Sequence, residues 1–191
     1  AYSDPNMPEI PLSWPDLPPT LEGLRVLHIS DVHIGFFIGF DELERMVELA
    51  SHKRPDIVPI TGDFSDEAPT YLDALRVVAQ IPAPYGHFAS IGNHEYFRGI
   101  QSIVRSYERG PVPLLRDSGA TVDVRGTTLY IAGADDPRSM RNMPQHFFER
   151  SVDSAMRDAP SEGFSILLSH RPVAFDYAAR RDIPLTLAGH T

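Results

Sequence analysis

Five short stretches of this chain carry carboxylate, amide-oxygen or imidazole donors: Asp31-Val32-His33, Gly62-Asp63, Gly92-Asn93-His94-Glu95, Ser169-His170 and Gly189-His190-Thr191. Taken singly, each reads as an ordinary polar turn, because Gly, Asn and Asp tolerate positive φ. Taken together they assemble two Asp, one Asn and four His in chain order, the donor set of a divalent-metal crevice. The chain has no cysteine, so thiolate zinc sites, disulfides and a cysteine nucleophile are excluded. Mixed oxygen and imidazole donors without thiolate admit Mn, Fe, Zn, Co or Ni.

The elements that must position these donors are legible just before them. Apolar, β-branched runs at 26–29, 57–60, 88–91, 166–168 and 185–188 each end where a donor stretch begins. Such runs read as strands buried on both faces. In open α/β sheets ligands bind beyond the carboxyl ends of strands, so the five loops can face one crevice. Helices are expected over 43–50, with Asp41 as its cap, and over 70–80, 101–109, 145–157 and 173–180. The spacing of Leu43, Met46, Val47 and Ala50 carries the first of these. Runs at 120–124 and 127–132, separated by Arg125-Gly126, read as an antiparallel hairpin. The first central strand is expected over 24–29. Residues 1–20 form a proline-rich, extended lead-in, with Ile10, Leu12 and Trp14 alternating as a short edge strand would. The alternation of strands and helices gives an α/β protein with a mixed sheet inside. At 191 residues the length fits a single domain over 1–191.

A net charge of −9 argues against a protein that grips nucleic acid by its backbone, which needs a basic stripe. An anionic substrate stays compatible, because a bound cation inverts the local charge. No run approaches the ~20 apolar residues of a spanning helix. The loop Phe36-Phe37-Ile38-Gly39-Phe40 is more apolar than a short connection needs, which points to a lipid, membrane or partner contact through Phe36, Phe37, Ile38 and Phe40. Tyr96-Phe97 could extend the same rim.

The order Asp-x-His, Gly-Asp, Gly-Asn-His-Glu, His, Gly-His-Thr resembles the calcineurin-like metallophosphoesterase superfamily from the first motif to the last residue. The proline-rich lead-in, Ser30-Asp31-Val32-His33-Ile34-Gly35 and Gly92-Asn93-His94-Glu95-Tyr96 are similar to its membrane-associated, YkuE-like bacterial branch. The resemblance implies a four-layer α/β/β/α sandwich with mixed sheets and two divalent metal ions bridged by one carboxylate. Asp63 would be that bridge, Asp31 and His33 would serve the first metal, and Asn93, His170 and His190 the second. A further family histidine falls at position 192, beyond Thr191, so the first site is expected to lack one ligand here and the natural protein to continue. The implied reaction is hydrolysis of phosphate esters or pyrophosphates by a hydroxide that the two metals activate. Lipid-linked substrates and a membrane-associated or extracytoplasmic bacterial location are further implications. A UDP-diacylglucosamine-type pyrophosphatase and a non-catalytic scaffold on the same fold are the rivals, and retention of Asp31, His33, Asp63, Asn93, His94, His170 and His190 speaks against the scaffold.

A carboxylate has two oxygens and can hold two cations, which neutral imidazole cannot do. His94 follows a ligand-type Asn and is placed to protonate the leaving oxygen, a general-acid task suited to imidazole. Glu95 reads as a carboxylate that orients a histidine or is solvated. Asp66 and Glu67 read as helix caps, and Asp135-Asp136 as a turn or a cleft lining. Arg98 and Arg171 flank donor stretches and could bind phosphate. His28 reads as a packed or hydrogen-bonded core histidine of the first strand, and His52, His87 and His146 as surface or helix-end residues.

Overall fold

A computed structural model describes residues 6–190. The first five residues of the proline-rich lead-in, Pro5 included, and Thr191 lie outside the described residues. Among the described residues six strands form two sheets. β1 (Val58–Thr61) pairs in parallel with β2 (His87–Ser90). β3 (Ser118–Val124), β4 (Thr127–Gly133), β5 (Phe164–Ser169) and β6 (Leu185–Ala188) lie side by side in that order. The β3–β4 pair is antiparallel and the other two are parallel, so the second sheet is mixed. Arg125 and Gly126, with φ of 55° and 84°, make the tight β3–β4 turn whose twist matches antiparallel strands.

Side-chain alternation along the strands builds the layers. Leu129 and Ile131 of β4, with Ile166 and Leu168 of β5, face Ile57 and Phe88 of the first sheet in a core between the sheets. Tyr130, Ala132 and Leu167 point the other way. They pack under α4 (Phe147–Ala155) and α5 (Ala174–Ala179), through Phe148, Val152, Ala174 and Ala178. On the far side of the first sheet, Val58, Ile60 and Ala89 pack under α1 (Phe40–His52), α2 (Tyr71–Val78) and α3 (Asn93–Arg109). Each fully buried aliphatic side chain in these cores contributes roughly 1.5–3 kcal/mol. The order is helix, sheet, sheet, helix, the calcineurin-like α/β arrangement that the resemblance implied.

Several elements depart from expectation. The run over 24–29 is not a continuous strand; it meets β1 only at the isolated parallel bridges Val26–Ile57 and Ile29–Ile60. Leu27 N donates to Ile57 O, Ile29 N to Pro59 O, and Thr61 N to Ile29 O. The rung between the two bridges would need an N–H on Pro59, which proline lacks. The residues 10–14 form no strand, and Ile10 and Leu12 are exposed. Trp14 instead sets its ring edge-on to Phe164 at 5.1 Å. Helix α1 is capped by Glu42, which accepts from Gly39 N at 3.0 Å, and not by Asp41. The third helix begins at Asn93, well before 101, and is broken at Gly99 (φ 106°, ψ 80°).

Candidate metal centre

The loops after β1, β2, β5 and β6, with the segment after residue 29, bring all the expected donors to one place. Asp31, Asp63, His170 and His190 each offer a ligand atom within 4.8 Å of the others, and so do His33, Asp63 and His94. Asp63 belongs to both groups, which is the shared position expected of it. Asp31 falls with His170 and His190, not with His33, because the backbone N–H of His190 donates to Asp31 Oδ2 at 2.9 Å. Asn93 joins the first group, its Oδ1 lying 3.1 Å from His170 Nε2.

Backbone strain and close packing shape these loops. Asp31, His33, Asp63 and His190 have φ of 54°, 50°, 49° and 56°, the left-handed region that side-chain-bearing residues seldom occupy. Such conformations cost about 1–3 kcal/mol each and cluster at functional sites. At Gly62 (φ 81°) an added Cβ would stand 2.5 Å from Gly92 N, so the two donor loops can meet only as glycines. A Cβ on Gly189 would strike the Asp31 carboxylate.

The hydrogen bonds set the tautomers. His170 Nδ1 lies 2.9 Å from Thr61 O, and a carbonyl only accepts, so Nδ1 carries the proton. The neutral ring then presents its Nε2 lone pair 3.1 Å from Asp63 Oδ2, 3.1 Å from Asn93 Oδ1 and 2.9 Å from His190 Nδ1. His190 accepts from Arg171 Nη1 at Nε2, so its Nδ1 carries the proton and donates to His170, while the Asp63 and Asn93 oxygens that face the same lone pair call for a positive charge. Without one from a cation, burial pulls the His170 pKa down, but hydrogen bonding to Asp63 and its charge outweigh that and raise it. Burial likewise tends to raise Asp63, yet the His170 hydrogen bond and charge and the His94 backbone N–H hold its carboxyl below the ordinary value. The donor set fits a divalent cation.

Asp66 is the member that sequence reasoning missed. It is not a helix cap. Its Oδ2 takes His33 Nδ1 at 2.9 Å, and its Oδ1 takes His94 Nδ1 at 2.7 Å and Arg98 Nε at 3.2 Å. Burial opposes ionisation, but these three partners win and lower its pKa. One carboxylate thereby turns His33 Nε2 toward Asp63, at 3.8 Å from Oδ2, and orients His94 as well. A metal-binding histidine is commonly held this way through its other nitrogen. The position three residues after Asp63, on the same loop, was the available signal.

Glu95 is neither solvated nor aimed at a histidine. It is fully buried, and accepts from Asp63 N and Gly92 N at Oε2 and from Phe64 N and Tyr71 Oη at Oε1. Burial and the Asp63 charge raise its carboxyl above the ordinary range against those four donors. It locks the β1 and β2 loops to each other. Arg171 does not point free into the crevice: Nε holds Asp136 Oδ2 at 2.8 Å and Nη1 reaches His190 Nε2 at 2.8 Å. Of the remaining histidines, His28 is exposed but bonds Thr61 Oγ1 at 2.8 Å, and His87 is half-buried at the start of β2, with its Nε2 buried. The apolar loop divides. Phe36 and Phe37 are exposed, whereas Ile38 and Phe40 pack against the first core. Phe37 lies 5.6 Å from the His33 ring, and exposed Phe97 lies 5.8 Å from His94. Tyr96 turns inward to Asp135 and leaves the rim.

Residues 24–191 match the family described as calcineurin-like phosphoesterase, and the chain belongs to it. Over 199 aligned residues it is 31% identical to a "Transmembrane protein with metallophosphoesterase domain" of Danio rerio, covering 100% of this chain and 45% of that protein. It is 25% identical to the "Uncharacterized metallophosphoesterase YkuE" of Bacillus subtilis, covering 92% of this chain and 60% of the relative. The chain therefore spans about half the length of these curated relatives. Among solved structures, the protein TT1561 of Thermus thermophilus superposes with a TM-score of 0.64 at 14% identity, over 86% of this chain and 81% of that one. At that identity the likeness shows the fold alone. The superfamily and the likeness to YkuE that the motifs suggested are borne out, and so are the fold layers.

Proposed function

We propose that this chain houses a metal-dependent phosphoesterase centre in which Asp63 is the shared ligand, His33 lies on one side of it, and Asp31, Asn93, His170 and His190 lie on the other. The carrying observation is the convergence of unshared lone pairs on Asp63, with His33 and His94 both turned by Asp66. Two divalent ions held there would supply Lewis acidity toward a phosphoryl oxygen and acidify water. Family membership supports phosphate esters as the substrate class. The chain's own part is positional and protonic. Asp66 keeps the His94 imidazole oriented, and His94, one-third exposed, can pass a proton to a leaving oxygen. Asp31, by accepting from His190 N, fixes the loop after β6 on the loop before α1. The test is hydrolysis of p-nitrophenyl phosphate and bis-p-nitrophenyl phosphate after chelation and again with added Mn²⁺. Turnover that is lost with chelator and restored by Mn²⁺ supports the proposal, and metal-independent turnover sinks it.

A lipid-linked phosphate or pyrophosphate is the finer reading. Phe36 and Phe37, 69% and 58% exposed, stand beside His33, and Phe97, 51% exposed, stands beside His94. An apolar rim of this kind suits the hydrocarbon part of a substrate or the surface of a bilayer. Among the described residues no helix is long and apolar enough to cross a membrane. Any contact these residues make would be peripheral. The Danio rerio relative is named a transmembrane protein, which is compatible with work at a membrane surface.

A further inference from the structure

The short turn that carries Asn93 and His94 is fastened across the molecule by one phenol. Tyr96 Oη donates to the Asp135 carboxylate, 2.7 Å from each oxygen. Arg116 Nη2 donates to the same hydroxyl at 2.7 Å, and its Nε reaches Asp135 Oδ2 at 2.8 Å. Asp135 follows β4 in the second sheet, and its own N–H is held by Ser151 Oγ of α4 at 2.8 Å. Burial, and then the Asp135 carboxylate, raise the phenol well above its ordinary pKa, so it stays a neutral donor.

The kink at Gly99 loosens this turn from the rest of α3, and Asp63 and Asp66 hold it from the metal side through the His94 N–H, the His94 ring and Arg98. Gly92 precedes it in extended conformation, and Gly99 breaks the helix just after it. A glycine at each end leaves residues 93–98 as a separate unit whose orientation depends on side-chain ties. Glu95 ties it inward to the β1 loop. Tyr96 ties it to the opposite sheet.

We propose that Tyr96, clamped between Asp135 and Arg116, is a positioning residue for His94, holding the imidazole where a leaving oxygen can take its proton. The proposal rests on the reading of His94 as that proton donor. Loss of a single tie should shift the imidazole by a fraction of an ångström to about 1 Å, and a misplacement of 1 Å costs up to about 100-fold. Tyr96→Phe keeps the ring and removes the hydroxyl.

The experiment compares Tyr96→Phe, His94→Asn and the double variant at saturating Mn²⁺. The substrates are phenyl phosphate, whose leaving group needs a proton, and 2,4-dinitrophenyl phosphate, whose leaving group does not. Tyr96→Phe is expected to lower kcat roughly 10-fold to 100-fold on the phenyl ester with KM unchanged, and by less than about 3-fold on the dinitrophenyl ester. In the His94→Asn background it should add nothing. Equal losses on both esters, or a full further loss in the double variant, would overturn the proposal. If Tyr96→Phe does not fold, Arg116→Gln, at an exposed position, should give the same selective loss in smaller degree, and its absence counts against the clamp. If His94→Asn itself hurts both esters equally, the proton-donor reading falls and the clamp with it. If His94→Asn is selective and Tyr96→Phe is not, only the clamp falls.

Discussion

At the scale of single residues, the centre depends on carboxylates with divided duties. Asp63 takes the His94 N–H on Oδ1 and faces His170 and His33 with Oδ2. Asp66 divides its two oxygens between His33 and His94. An amide in place of Asp66 would offer one acceptor and would set its NH₂ against one of the two imidazole N–H groups. Asp66→Asn is therefore expected to weaken Mn²⁺ binding and lower kcat, each by roughly 10-fold to 100-fold, the usual cost of losing a partner behind a ligand histidine. Metal titration and initial rates would measure both. A variant with normal affinity and normal kcat would show that His33 and His94 need no such holder.

The elements explain why some of this could be read from the chain and some could not. The strand ends over 57–60, 88–91, 166–168 and 185–188 were legible because β-branched runs ending in Gly-Asp, Gly-Asn-His, Ser-His and Gly-His leave little else for the chain to do. Asp63, Asn93, His94, His170 and His190 stand at those endings and Asp31 and His33 just after the run 26–29, and the structure brings all seven together. The interrupted pairing of 24–29 was not legible from the run itself; it follows from Pro59 in the neighbouring strand. The early start of α3 was hidden because a Gly-Asn-His-Glu stretch reads as a turn until Glu95 is seen to cap Gly92 N at 2.9 Å. Asp66, read as a helix cap, and Glu95, read as orienting a histidine or solvated, were misread for one reason: only the third dimension shows what a loop carboxylate faces. Glu95→Gln tests the lock between the β1 and β2 loops. Its NH₂ would confront either Asp63 N and Gly92 N or Phe64 N and Tyr71 Oη. Buried donors left unpaired cost about 1–3 kcal/mol each, so a loss of roughly 2–4 kcal/mol in urea unfolding is expected. A loss under about 0.5 kcal/mol would mean that other contacts hold the loops.

For the whole molecule, two sheets pressed face to face set the β1 and β2 loops opposite the β5 and β6 loops. The crevice draws its donors from both halves of the chain. An acidic protein of net charge −9 thus gathers lone pairs where cations are needed, and rims the place with Phe36, Phe37 and Phe97. Phe36→Ser with Phe37→Ser is expected to leave hydrolysis of a small soluble ester within about 2-fold, since both side chains are exposed and surface changes are usually mild. The same variant should bind phosphatidylglycerol–phosphatidylcholine liposomes more weakly in sedimentation. Unchanged liposome binding would remove the membrane role from this rim. Phe40 is left in place because it packs against the first core.

The central claim is that a divalent cation binds through Asp63, and the direct measurement is calorimetric titration of the chelator-treated chain with Mn²⁺, beside its Asp63→Asn variant. The account predicts at least one equivalent of Mn²⁺ bound by the unaltered chain and none bound tightly by a folded Asp63→Asn protein, because the amide has lost the charge and one of the two ligand oxygens. No binding by the unaltered chain, or the same affinity and stoichiometry in both proteins, would contradict it.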